Sequence, residues 1–522
     1  MKMRQDPPEP LYDRCFPLPG GSGLPFRERE PQRHPLMSRV PAESRRPDRE
    51  IPVIRRSKLS FRDGSPQSPA DMKLFGTDGI RGKANEFPIT PEVALRAGKA
   101  VAQVLRSSGH NRNRVVIGKD TRISGYMLET ALTSGLVSMG MDVLLPGPLP
   151  TPAIAHLTKS MGCAAGIMLT ASHNPYEDNG LKIFGPDGYK LSDALEEIIE
   201  RHILGDEPEP RAMSPEKIGK AYRIEDARGR YIEFAKHTAD NVSLRGLKIV
   251  VDCGHGAAYF IAPLIFKELG AEVIKHGCEP DGININDKCG ALYPETAGEL
   301  VRRHGADLGI SFDGDADRVI FTDATGIPVS GDRILALAAL SLHEQGRLRG
   351  ATMACTVMSN LGLHEAMRRA GIKVLTTAVG DRNVIEALRE KGGSFGGENS
   401  GHLIFADHAT TGDGILSALQ VLRVMQEKKT TLAELAACMR EFPQELVNLK
   451  VASKPPLAGL PGIQKLMKEA DTAFGDAGRH LIRYSGTENK IRILVEHRDA
   501  DAVHHWIGKF TDAVKEDIGV GV

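Results

Sequence analysis

The run CAAGIMLTASHNP at residues 163–175 passes from an apolar segment directly into a polar loop. Its first part, Cys163 to Leu169, consists of small and apolar residues and predicts a buried strand. The loop that follows carries Ser172 and contains two turn signals, Asn174-Pro175 and Asn179-Gly180. Because ligands of open α/β sheets bind just beyond the strand ends, this serine stands where a binding site is expected. An ordinary surface turn is the alternative interpretation of the serine.

From Met72 onward, strand and helix patterns alternate, which is typical of α/β domains. Thr90-Pro91-Glu92 predicts a helix start. Val115–Gly118 predicts a short strand, with Asp120-Thr121-Arg122 at its end. The pattern predicts three similar α/β domains and a smaller α+β C-terminal domain around a central cleft. Their expected ranges are 72–224, 225–328, 329–444 and 445–522.

Several local features complete the predicted fold. The Gly-rich run Phe75–Gly82 is expected to be a loop that presents an arginine, and the polar stretch 205–224 a linker. Asp193-x-x-Glu196 fits a capping box at a helix start. Leu308–Phe312 is expected to be the last strand of the second domain.

The composition is that of a globular protein without excess charge. Hydrophobic residues make up 41% of the 522 residues and charged residues 26%, and Lys+Arg and Asp+Glu both number 67. This balance offers no basic field for nucleic acid, and no run reaches the ~18 apolar residues of a membrane span. The seven cysteines include no C-x-x-C, which favours a reducing compartment over a disulfide framework or a zinc site. We therefore expect a cytoplasmic protein without nucleic-acid or membrane partners.

Residues 1–71 differ from the rest of the chain. They contain thirteen of the 32 prolines and many arginines, without apolar periodicity, so we expect a disordered N-terminal extension. A transit peptide would be poor in acidic residues, whereas this stretch contains Glu28, Glu30 and Glu43 among others. Met72 directly precedes the first ordered pattern and is the expected functional start.

Three carboxylates at alternate positions, Asp313, Asp315 and Asp317, directly follow the strand Leu308–Phe312. On a tight loop they can converge on one hard cation such as Mg²⁺ and leave room for a phosphate oxygen. A hydrated loop without a metal is the alternative. An EF-hand is excluded because arginine and alanine stand at its sixth and twelfth positions. A phosphatase with Asp313 itself as the nucleophile stays open.

Two later loops carry ligand-binding chemistry. The loop Arg483–Asn489 offers hydroxyls, a glycine and backbone N–H groups near Arg492, which suits a phosphate dianion. A polar turn with incidental arginines is the alternative. Glu398 and Ser400 lie on a loop with three glycines and can hydrogen-bond sugar hydroxyls, although a structural turn explains them as well. His402 on this loop has the simpler interpretation of a histidine satisfied by its neighbours.

Two common cofactor motifs are missing. The sequence contains no G-x-x-x-x-G-K-[ST], and Gly254-His255-Gly256 lacks the third glycine of a dinucleotide-binding turn, where Tyr259 stands. We interpret that run as close backbone packing. The serine loop, the acidic loop, the sugar-reading loop and the phosphate loop fall in separate units. A four-part cleft that holds a phosphorylated polyol is the simplest assembly that uses all of them.

The same loops carry a resemblance to a known family. In family order, the runs are FGTDGIRG (75–82), TASHNP (170–175), DGDADR (313–318), GENSGH (397–402) and RYSGTEN (483–489). From Met72 to its C-terminus the chain resembles the α-D-phosphohexomutases, whose four-domain architecture matches the predicted fold class. Residues 174–191 and 280–290 are most similar to the members that act on glucosamine phosphates.

The resemblance implies an isomerase-class intramolecular phosphotransferase. Ser172 would be carried as a phosphoserine and donate its phosphoryl group to glucosamine 6-phosphate. A hexosamine 1,6-bisphosphate would be the bound intermediate and activator, and glucosamine 1-phosphate, a precursor for the cell envelope, the product. One Mg²⁺ per subunit would be held by phosphorylated Ser172 with Asp313, Asp315 and Asp317.

The resemblance also implies the remaining site residues. Lys182 and Arg81 would provide general acid/base chemistry at the sugar hydroxyl, with His173 as a further candidate. The residues expected to bind the sugar are Gly380, Asp381, Glu398, Ser400 and His402. The residues expected to anchor the non-reacting phosphate are Arg483, Ser485, Gly486, Thr487 and Arg492.

The chain departs from the family pattern at three motif positions. Many relatives have Gly where Ala316 stands, Gln where Asn399 stands and Pro where Asn489 stands. Asn399 lies in the sugar-reading loop, so a sister mutase for glucose or mannose phosphates stays open. A phosphomonoesterase and a non-catalytic sugar-phosphate sensor are the alternatives from other classes. The resemblance is compatible with a homodimer.

Overall fold

The chain folds into four β-sheets, each built from one continuous stretch of sequence. The structure, a computed structural model, describes residues 73–76, 78–107, 112–485 and 489–518. The predicted N-terminal extension, Met72, Gly486 and Thr487 lie outside the described residues. Three mixed sheets with flanking helices and a smaller C-terminal sheet confirm the predicted fold class of three α/β domains and one α+β domain.

The first sheet has seven strands. They are β1 (Phe75–Gly76), β2 (Gly79–Lys83), β3 (Arg114–Lys119), β4 (Asp142–Pro148), β5 (Ala165–Leu169), β6 (Asp178–Phe184) and β7 (Ala221–Arg223). Their order is β1-β2-β6-β5-β3-β4-β7. The helices are α1 (Pro91–Ser107), α2 (Ser124–Ser138), α3 (Thr151–Ser160) and α4 (Asp193–Leu204). As predicted, β5 is a strand buried along its whole length, and β6 returns antiparallel beside it, so the serine loop joins neighbouring strands.

Two loop predictions for this domain are wrong. In the run Phe75–Gly82, residues 75–76 and 79–82 belong to β1 and β2, which pair antiparallel. The start of β2 needs Gly79, which has φ +83° and where a Cβ would lie 2.2 Å from the carbonyl oxygen of Leu181. The pair Asn179-Gly180 lies inside β6 and not in a turn. Cross-strand pairing with β2 overrides the local turn preference of these two residues.

Two further predictions concern the end of the first domain. The stretch 205–224 is not only a linker, because β7 lies within it and extends the first sheet by parallel pairing with β4. The capping box is absent, since Asp193 is the first residue of α4 and no side chain caps its N-terminus. Glu196 instead accepts a hydrogen bond from Arg382 of the third domain at 2.8 Å.

The second sheet has five strands. They are β8 (Lys248–Asp252), β9 (Glu272–His276), β10 (Leu308–Phe312), β11 (Val319–Thr322) and β12 (Pro328–Val329), in the order β12-β11-β10-β8-β9. The helices are α5 (Ala227–Thr238), α6 (Ile261–Glu268) and α7 (Pro294–His304). The prediction that β10 is the last strand is wrong. The chain returns antiparallel to it as β11, so the acidic loop is the turn between these two strands.

The third sheet has the order β14-β13-β15-β16. Its strands are β13 (Thr352–Thr356), β14 (Lys373–Thr377), β15 (Phe395–Gly397) and β16 (Leu403–Phe405). Its helices are α8 (Gly331–Glu344), α9 (Leu361–Arg369), α10 (Asp381–Lys391), α11 (Gly414–Lys428) and α12 (Leu432–Ala436). The sugar-reading loop joins β15 to the antiparallel strand β16. In all three α/β domains, therefore, the chemistry-bearing loop follows a strand that has a parallel neighbour and leads into an antiparallel one.

The fourth sheet is antiparallel. Its strands are β17 (Gln444–Lys450), β18 (Gly478–Tyr484) and β19 (Lys490–His497), in the order β17-β19-β18. Its helices are α13 (Pro461–Phe474) and α14 (Ala500–Asp517). Trp506 of α14 packs its ring edge-on against Phe474, with ring centroids 5.4 Å apart. The phosphate loop connects β18 and β19, as the sequence predicted.

The apolar core divides the molecule differently from the sheets. One buried cluster contains residues of all three α/β domains, including Leu149, Phe266 and Phe395. The fourth domain has its own cluster around Phe474 and Phe510. The first three domains therefore share a core, and the predicted domain boundaries stay predictions. Within the part of the chain that the structure describes, no helix is long and apolar enough to span a membrane.

Helices α1 and α2 pack closely because both carry glycine at their contact. A Cβ at Gly135 would lie 2.3 Å from the carbonyl oxygen of Leu95. We expect Gly135→Ala to destabilise the protein by about 1–3 kcal/mol through this overpacking. The matched control is Gly229→Ala in α5, where no atom lies within 4 Å of the new Cβ, and where a gain of about 0.5 kcal/mol is expected.

Thermal and urea unfolding of both variants measure this difference. A Gly135→Ala protein that is as stable as the Gly229→Ala protein would contradict the close helix contact.

Candidate active site

Ser172 lies on the loop between β5 and β6, and its side chain is buried. Its backbone has φ +53°, a left-handed conformation that costs a non-glycine residue of order 1–3 kcal/mol. Its Oγ donates a hydrogen bond to Asp313 Oδ2 at 2.6 Å and lies 3.4 Å from His173 Nδ1. The structure thus brings the predicted nucleophile of the first domain onto the acidic loop of the second.

The three carboxylates of the acidic loop converge. One oxygen each of Asp313, Asp315 and Asp317 lies within 4.8 Å of the other two, and all three residues are buried. Burial and the charges of Asp317 and Asp315 raise the pKa of Asp313 well above its ordinary value. Asp315 Oδ1 is buried without a hydrogen-bond partner among the described residues. A buried oxygen donor set with an unsatisfied oxygen is what a hard divalent cation requires, so these residues fit a metal ion.

The backbone of the acidic loop is held by three domains. The carbonyl oxygens of Gly314, Asp315 and Ala316 accept hydrogen bonds from the N–H groups of Ala257, Thr151 and Gly414, respectively. A Cβ at Gly256 would lie 2.3 Å from Gly314 O, which confirms that the Gly254-His255-Gly256 run serves close backbone packing. Ala316 has φ +54°, which explains why glycine suits this position in many relatives.

Lys182 lies in β6, opposite Met168 of β5, and is buried among three carboxylates. Its Nζ is 2.9 Å from Asp315 Oδ2, 3.1 Å from Asp317 Oδ2 and 3.1 Å from Asp78 Oδ2. Burial lowers the pKa of Lys182, but these carboxylates outweigh it and hold the pKa well above its ordinary value. Lys182 is therefore an ammonium group that donates hydrogen bonds to these carboxylates and holds its proton. It can release that proton only when another cation offsets the surrounding carboxylates.

Six side chains from the three α/β domains form a closed ring in which acidic and basic groups alternate. In order they are Asp78, Lys182, Asp317, His402, Asp381 and Lys190, with successive nitrogen–oxygen distances of 3.1, 3.1, 3.5, 3.7, 2.7 and 2.5 Å. We call this set the charge ring. It places the predicted sugar-binding residues His402 and Asp381 in contact with the surroundings of Lys182.

Contacts in and beside the charge ring determine which nitrogen of His402 carries a proton and lower the pKa of Asp78. His402 Nε2 accepts the N–H of Gly412 at 3.0 Å, so Nδ1 carries the ring proton and faces Asp317. Burial raises the pKa of Asp78, but Lys182, Lys190 and Arg81 outweigh it and hold it well below its ordinary value. Arg81, which the sequence singled out, joins the ring from outside through a hydrogen bond to Asp78.

The sugar-reading candidates of the third domain lie together. Glu398 Oε1 accepts the backbone N–H of Gly380 at 2.9 Å, and Ser400 Oγ lies 3.5 Å from Glu398 Oε2. The carbonyl oxygen of Gly401 accepts the N–H of Val319 at 3.0 Å, directly after the acidic loop. The sugar-reading loop is therefore attached to the end of the acidic loop.

Arg318 is a site residue that the sequence reasoning missed. Its N–H donates to Asp313 Oδ1 at 3.1 Å, and its buried Nε has no hydrogen-bond partner among the described residues. Burial lowers the pKa of Arg318, but Asp317 and Asp313, followed by Glu398, raise it overall. Burial and Arg318 together lower the pKa of His173 to about 4, so this histidine is neutral near pH 7. The position of Arg318 as last residue of DGDADR was the available signal.

The fourth domain presents two arginines side by side. Arg483 and Arg492 are register partners on β18 and β19, and like charges placed opposite each other destabilise a strand pair. Arg492 Nε is buried and lacks a hydrogen-bond partner within the described residues. Lys454, which the sequence reasoning missed, donates to the carbonyl oxygen of Ser485 at 2.8 Å. This arrangement suits an anion, and no ion pair or hydrogen bond of the described residues joins these arginines to the charge ring.

Profiles of a single family match the four parts of the chain. The first three are described as phosphoglucomutase/phosphomannomutase alpha/beta/alpha domains I, II and III and match residues 72–209, 229–326 and 330–442. The fourth, the C-terminal domain of the same family, matches residues 446–513. The chain belongs to the phosphoglucomutase/phosphomannomutase family. As a member of it, the protein is a phosphohexomutase, an enzyme of the isomerase class.

Relatives within the phosphoglucomutase/phosphomannomutase family match this chain over almost their whole length. A phosphoglucosamine mutase of Anaeromyxobacter dehalogenans is 55% identical over 456 residues, which are 86% of this chain and 99% of that protein. One of Citrifermentans bemidjiense is 51% identical over 448 residues, 86% and 98% of the two chains. The crystal structure of a family protein from Burkholderia thailandensis superposes with TM-score 0.72 at 26% identity and covers 86% of this chain and 98% of its own.

The acidic loop leads to a test by metal binding. We expect Asp315→Asn to weaken Mg²⁺ binding at least ~10-fold, which is the loss caused by removing a residue that only supports a metal ligand. The substitution removes a charged oxygen donor itself. Titration calorimetry of the metal-free enzyme measures the affinity. Asp287→Asn, at an exposed acid of the same domain, is the control and is expected to bind Mg²⁺ like the unchanged protein. Equal affinities of the two variants would contradict a metal site on this loop.

Proposed function

We propose that the protein is a phosphoglucosamine mutase, which interconverts glucosamine 6-phosphate and glucosamine 1-phosphate. The proposal includes a phosphoserine at Ser172 and a bound glucosamine 1,6-bisphosphate. The observation that carries it is the convergence of Ser172 Oγ, the acidic loop and the buried Lys182 at one point. The activity named for relatives that share more than half of their residues with this chain supports the choice of an amino-sugar substrate.

The transfer reaction follows from the groups at this point. In the first step, a hydroxyl oxygen of glucosamine 6-phosphate forms a bond to phosphorus while the bond from phosphorus to Ser172 Oγ breaks. The hydroxyl loses its proton, and Ser172 Oγ ends the step as a hydroxyl, which the structure shows donating to Asp313. The second step reverses this at the other phosphate of the bisphosphate and restores the phosphoserine.

Lys182 and Arg81 are the groups we propose for proton transfer at the sugar hydroxyl. Lys182 already lies between the acidic loop and Asp78, and Arg81 is bound to Asp78. His173, whose pKa is lowered to about 4 by burial and by Arg318, is neutral and can only accept a proton or hydrogen-bond there. Positioning and electrostatic stabilisation together supply most of the rate enhancement in phosphoryl transfer.

The metal we propose is one Mg²⁺, held by Asp313, Asp315 and Asp317 together with an oxygen of the Ser172 phosphate. When bound, it offsets the charge of the phosphoryl group and of the carboxylates around it. Arg318 adds a second positive charge from the protein at the same edge of the loop. The phosphoserine itself brings about −1.5 to −2 charges, so several cationic groups are needed here.

The remaining residues would bind the two ends of the substrate. The residues proposed to bind the sugar are Gly380, Asp381, Glu398, Ser400 and His402. Of these, Asp381 and His402 also belong to the charge ring. The residues proposed to bind the non-reacting phosphate are Arg483, Ser485 and Arg492, together with Gly486 and Thr487, which lie outside the described residues. A cytoplasmic location and a small phosphorylated sugar as the partner complete the proposal, and a homodimer stays a prediction.

The proposal is tested by comparing substrates. We expect the 6-phosphate of glucosamine to be converted with a higher kcat/KM than those of glucose and mannose, because the relatives at about half identity carry the amino-sugar name. Phosphorus NMR of each reaction measures the 1-phosphate and any free phosphate. Equal or better turnover of glucose 6-phosphate would show a sister mutase, and free phosphate without a 1-phosphate product would show a phosphatase.

The nucleophile has its own test. Ser172→Ala is expected to abolish turnover, a loss of at least about 10³-fold, since it removes the hydroxyl proposed to carry the phosphoryl group. Intact-mass measurement after incubation with glucosamine 1,6-bisphosphate should show an adduct of about 80 Da in the unchanged protein and none in the variant. Ser134→Ala, at an exposed serine of α2, is the matched control and should keep both signals. Substantial activity in Ser172→Ala would remove Ser172 from the mechanism.

A further inference from the structure

The side chain of Arg122 is fully buried beyond the end of β3, in a run to which the proposed function gives no role. A guanidinium group has five N–H donors, and each of those of Arg122 has an acceptor. Nε donates to Asp120 Oδ2, Nη1 to the carbonyl oxygens of Pro175 and Asp178, and Nη2 to those of Ser172 and Asn174. Four of the five bonds therefore end on the backbone of the serine loop and of the first residue of β6.

A buried pair neutralises the charge of Arg122. Asp120 Oδ2 accepts Arg122 Nε at 2.8 Å, and both side chains have no exposed surface. Asp120 Oδ2 also accepts the hydroxyl of Thr170 at 2.7 Å. Removing either partner of a buried ion pair leaves the other charge uncompensated, so a change at Asp120 or Arg122 would disturb the serine loop that they hold.

The backbone of Ser172 is held from both sides by this set of contacts. Its N–H donates to Thr170 Oγ1 at 2.9 Å. Its carbonyl oxygen accepts from Arg122 Nη2 at 2.9 Å and from Asn286 Nδ2 of the second domain at 3.0 Å. Both peptide groups that flank the left-handed φ of +53° are thus fixed, and the side chain is directed toward Asp313 at 2.6 Å.

We propose that Arg122 is a positioning residue for phosphoryl transfer, acting with Asp120 and Thr170 through the backbone of Ser172. The inference rests on the proposed role of Ser172 as the phosphoryl carrier. All five donors of Arg122 are occupied by protein acceptors, so it acts on the nucleophile and does not bind the phosphate. Its function is to keep the serine in a conformation that the backbone alone disfavours.

The planar guanidinium group of Arg122 allows a positioning role to be distinguished from a role of its positive charge. A lysine keeps the positive charge, but its three donors diverge from one nitrogen and cannot reach four separate carbonyl oxygens in a plane. If the role of Arg122 were to supply charge, Arg122→Lys would keep activity. If the role is to position the loop, Arg122→Lys should be nearly as impaired as the uncharged Arg122→Gln.

The experiment measures the rate at which glucosamine 1,6-bisphosphate phosphorylates Ser172, by rapid quench and intact mass, together with kcat and KM. In Arg122→Lys we expect the phosphorylation rate and kcat to fall about 100-fold, the effect of a misplacement near 1 Å. KM for glucosamine 6-phosphate should change less than about threefold, because the sugar and phosphate loops are untouched. The control is Arg423→Lys, at a buried arginine of α11 that binds Asp240 and lies outside the proposed machinery.

The outcomes separate the possible explanations. An Arg122→Lys protein that phosphorylates Ser172 at the unchanged rate, or one whose KM rises while kcat is kept, overturns the positioning role. A variant with a lower Tm but full kcat below that temperature shows a purely structural role, which also overturns it. If the unchanged protein is not phosphorylated at Ser172 at all, the proposed function fails and the positioning role fails with it.

A second variant covers the case in which Arg122→Lys does not fold. Thr170→Val has nearly the same shape and removes only the hydroxyl that joins Asp120 to the N–H of Ser172. We expect it to lower the phosphorylation rate about tenfold, the effect of losing about one hydrogen bond, with KM kept. Unchanged phosphorylation in Thr170→Val overturns the proposal.

Discussion

The site depends on the burial of one lysine among three carboxylates. Each of these four groups would be costly to bury alone, and Lys182 offsets part of the charge of Asp315, Asp317 and Asp78. The carboxylates come from the first hairpin and the acidic loop, and the lysine comes from β6. Folding of the first domain is therefore tied to its contact with the second at the point where Ser172 meets Asp313.

The same electrostatic requirement extends to the third domain. The charge ring closes through His402, Asp381 and Lys190, and the backbone of the acidic loop takes hydrogen bonds from all three α/β domains. These domains also share an apolar core. The serine, acidic and sugar-reading loops therefore belong to one continuous structure, and Lys182 lies where groups from all three domains meet.

The fourth domain follows a different principle. It has its own apolar core, and its two arginines face each other across β18 and β19 without joining the charge ring. Repulsion between like charges on neighbouring strands is relieved by an anion. The two arginines are thus suited to an anionic ligand, whereas the acidic groups of the charge ring already contact basic groups within the protein.

Much of the site was predictable because each of its motifs is a short continuous run of sequence. Ser172 and the three acidic residues each follow an apolar strand pattern directly, so their place at a strand end needed no tertiary information. The turn at Asn179-Gly180 and the linker 205–224 were predicted wrongly, because pairing with neighbouring strands overrode the local preference of both segments. The contacts of Lys190, Lys454 and Arg122 were not predicted, because their partners are distant in sequence or are backbone carbonyl groups.

By itself, the sequence determined the class of fold, the order of the four loops and the chemical type of each. Hydrophobic periodicity and turn residues act over a few neighbouring positions, and this information is contained in the chain. Only the tertiary structure decided which charges meet. Whether Lys182 is a charged donor, and whether Ser172 is held in a left-handed conformation, depends on groups from other strands and domains. Burial makes these contacts strong, and burial exists only after the domains have packed together.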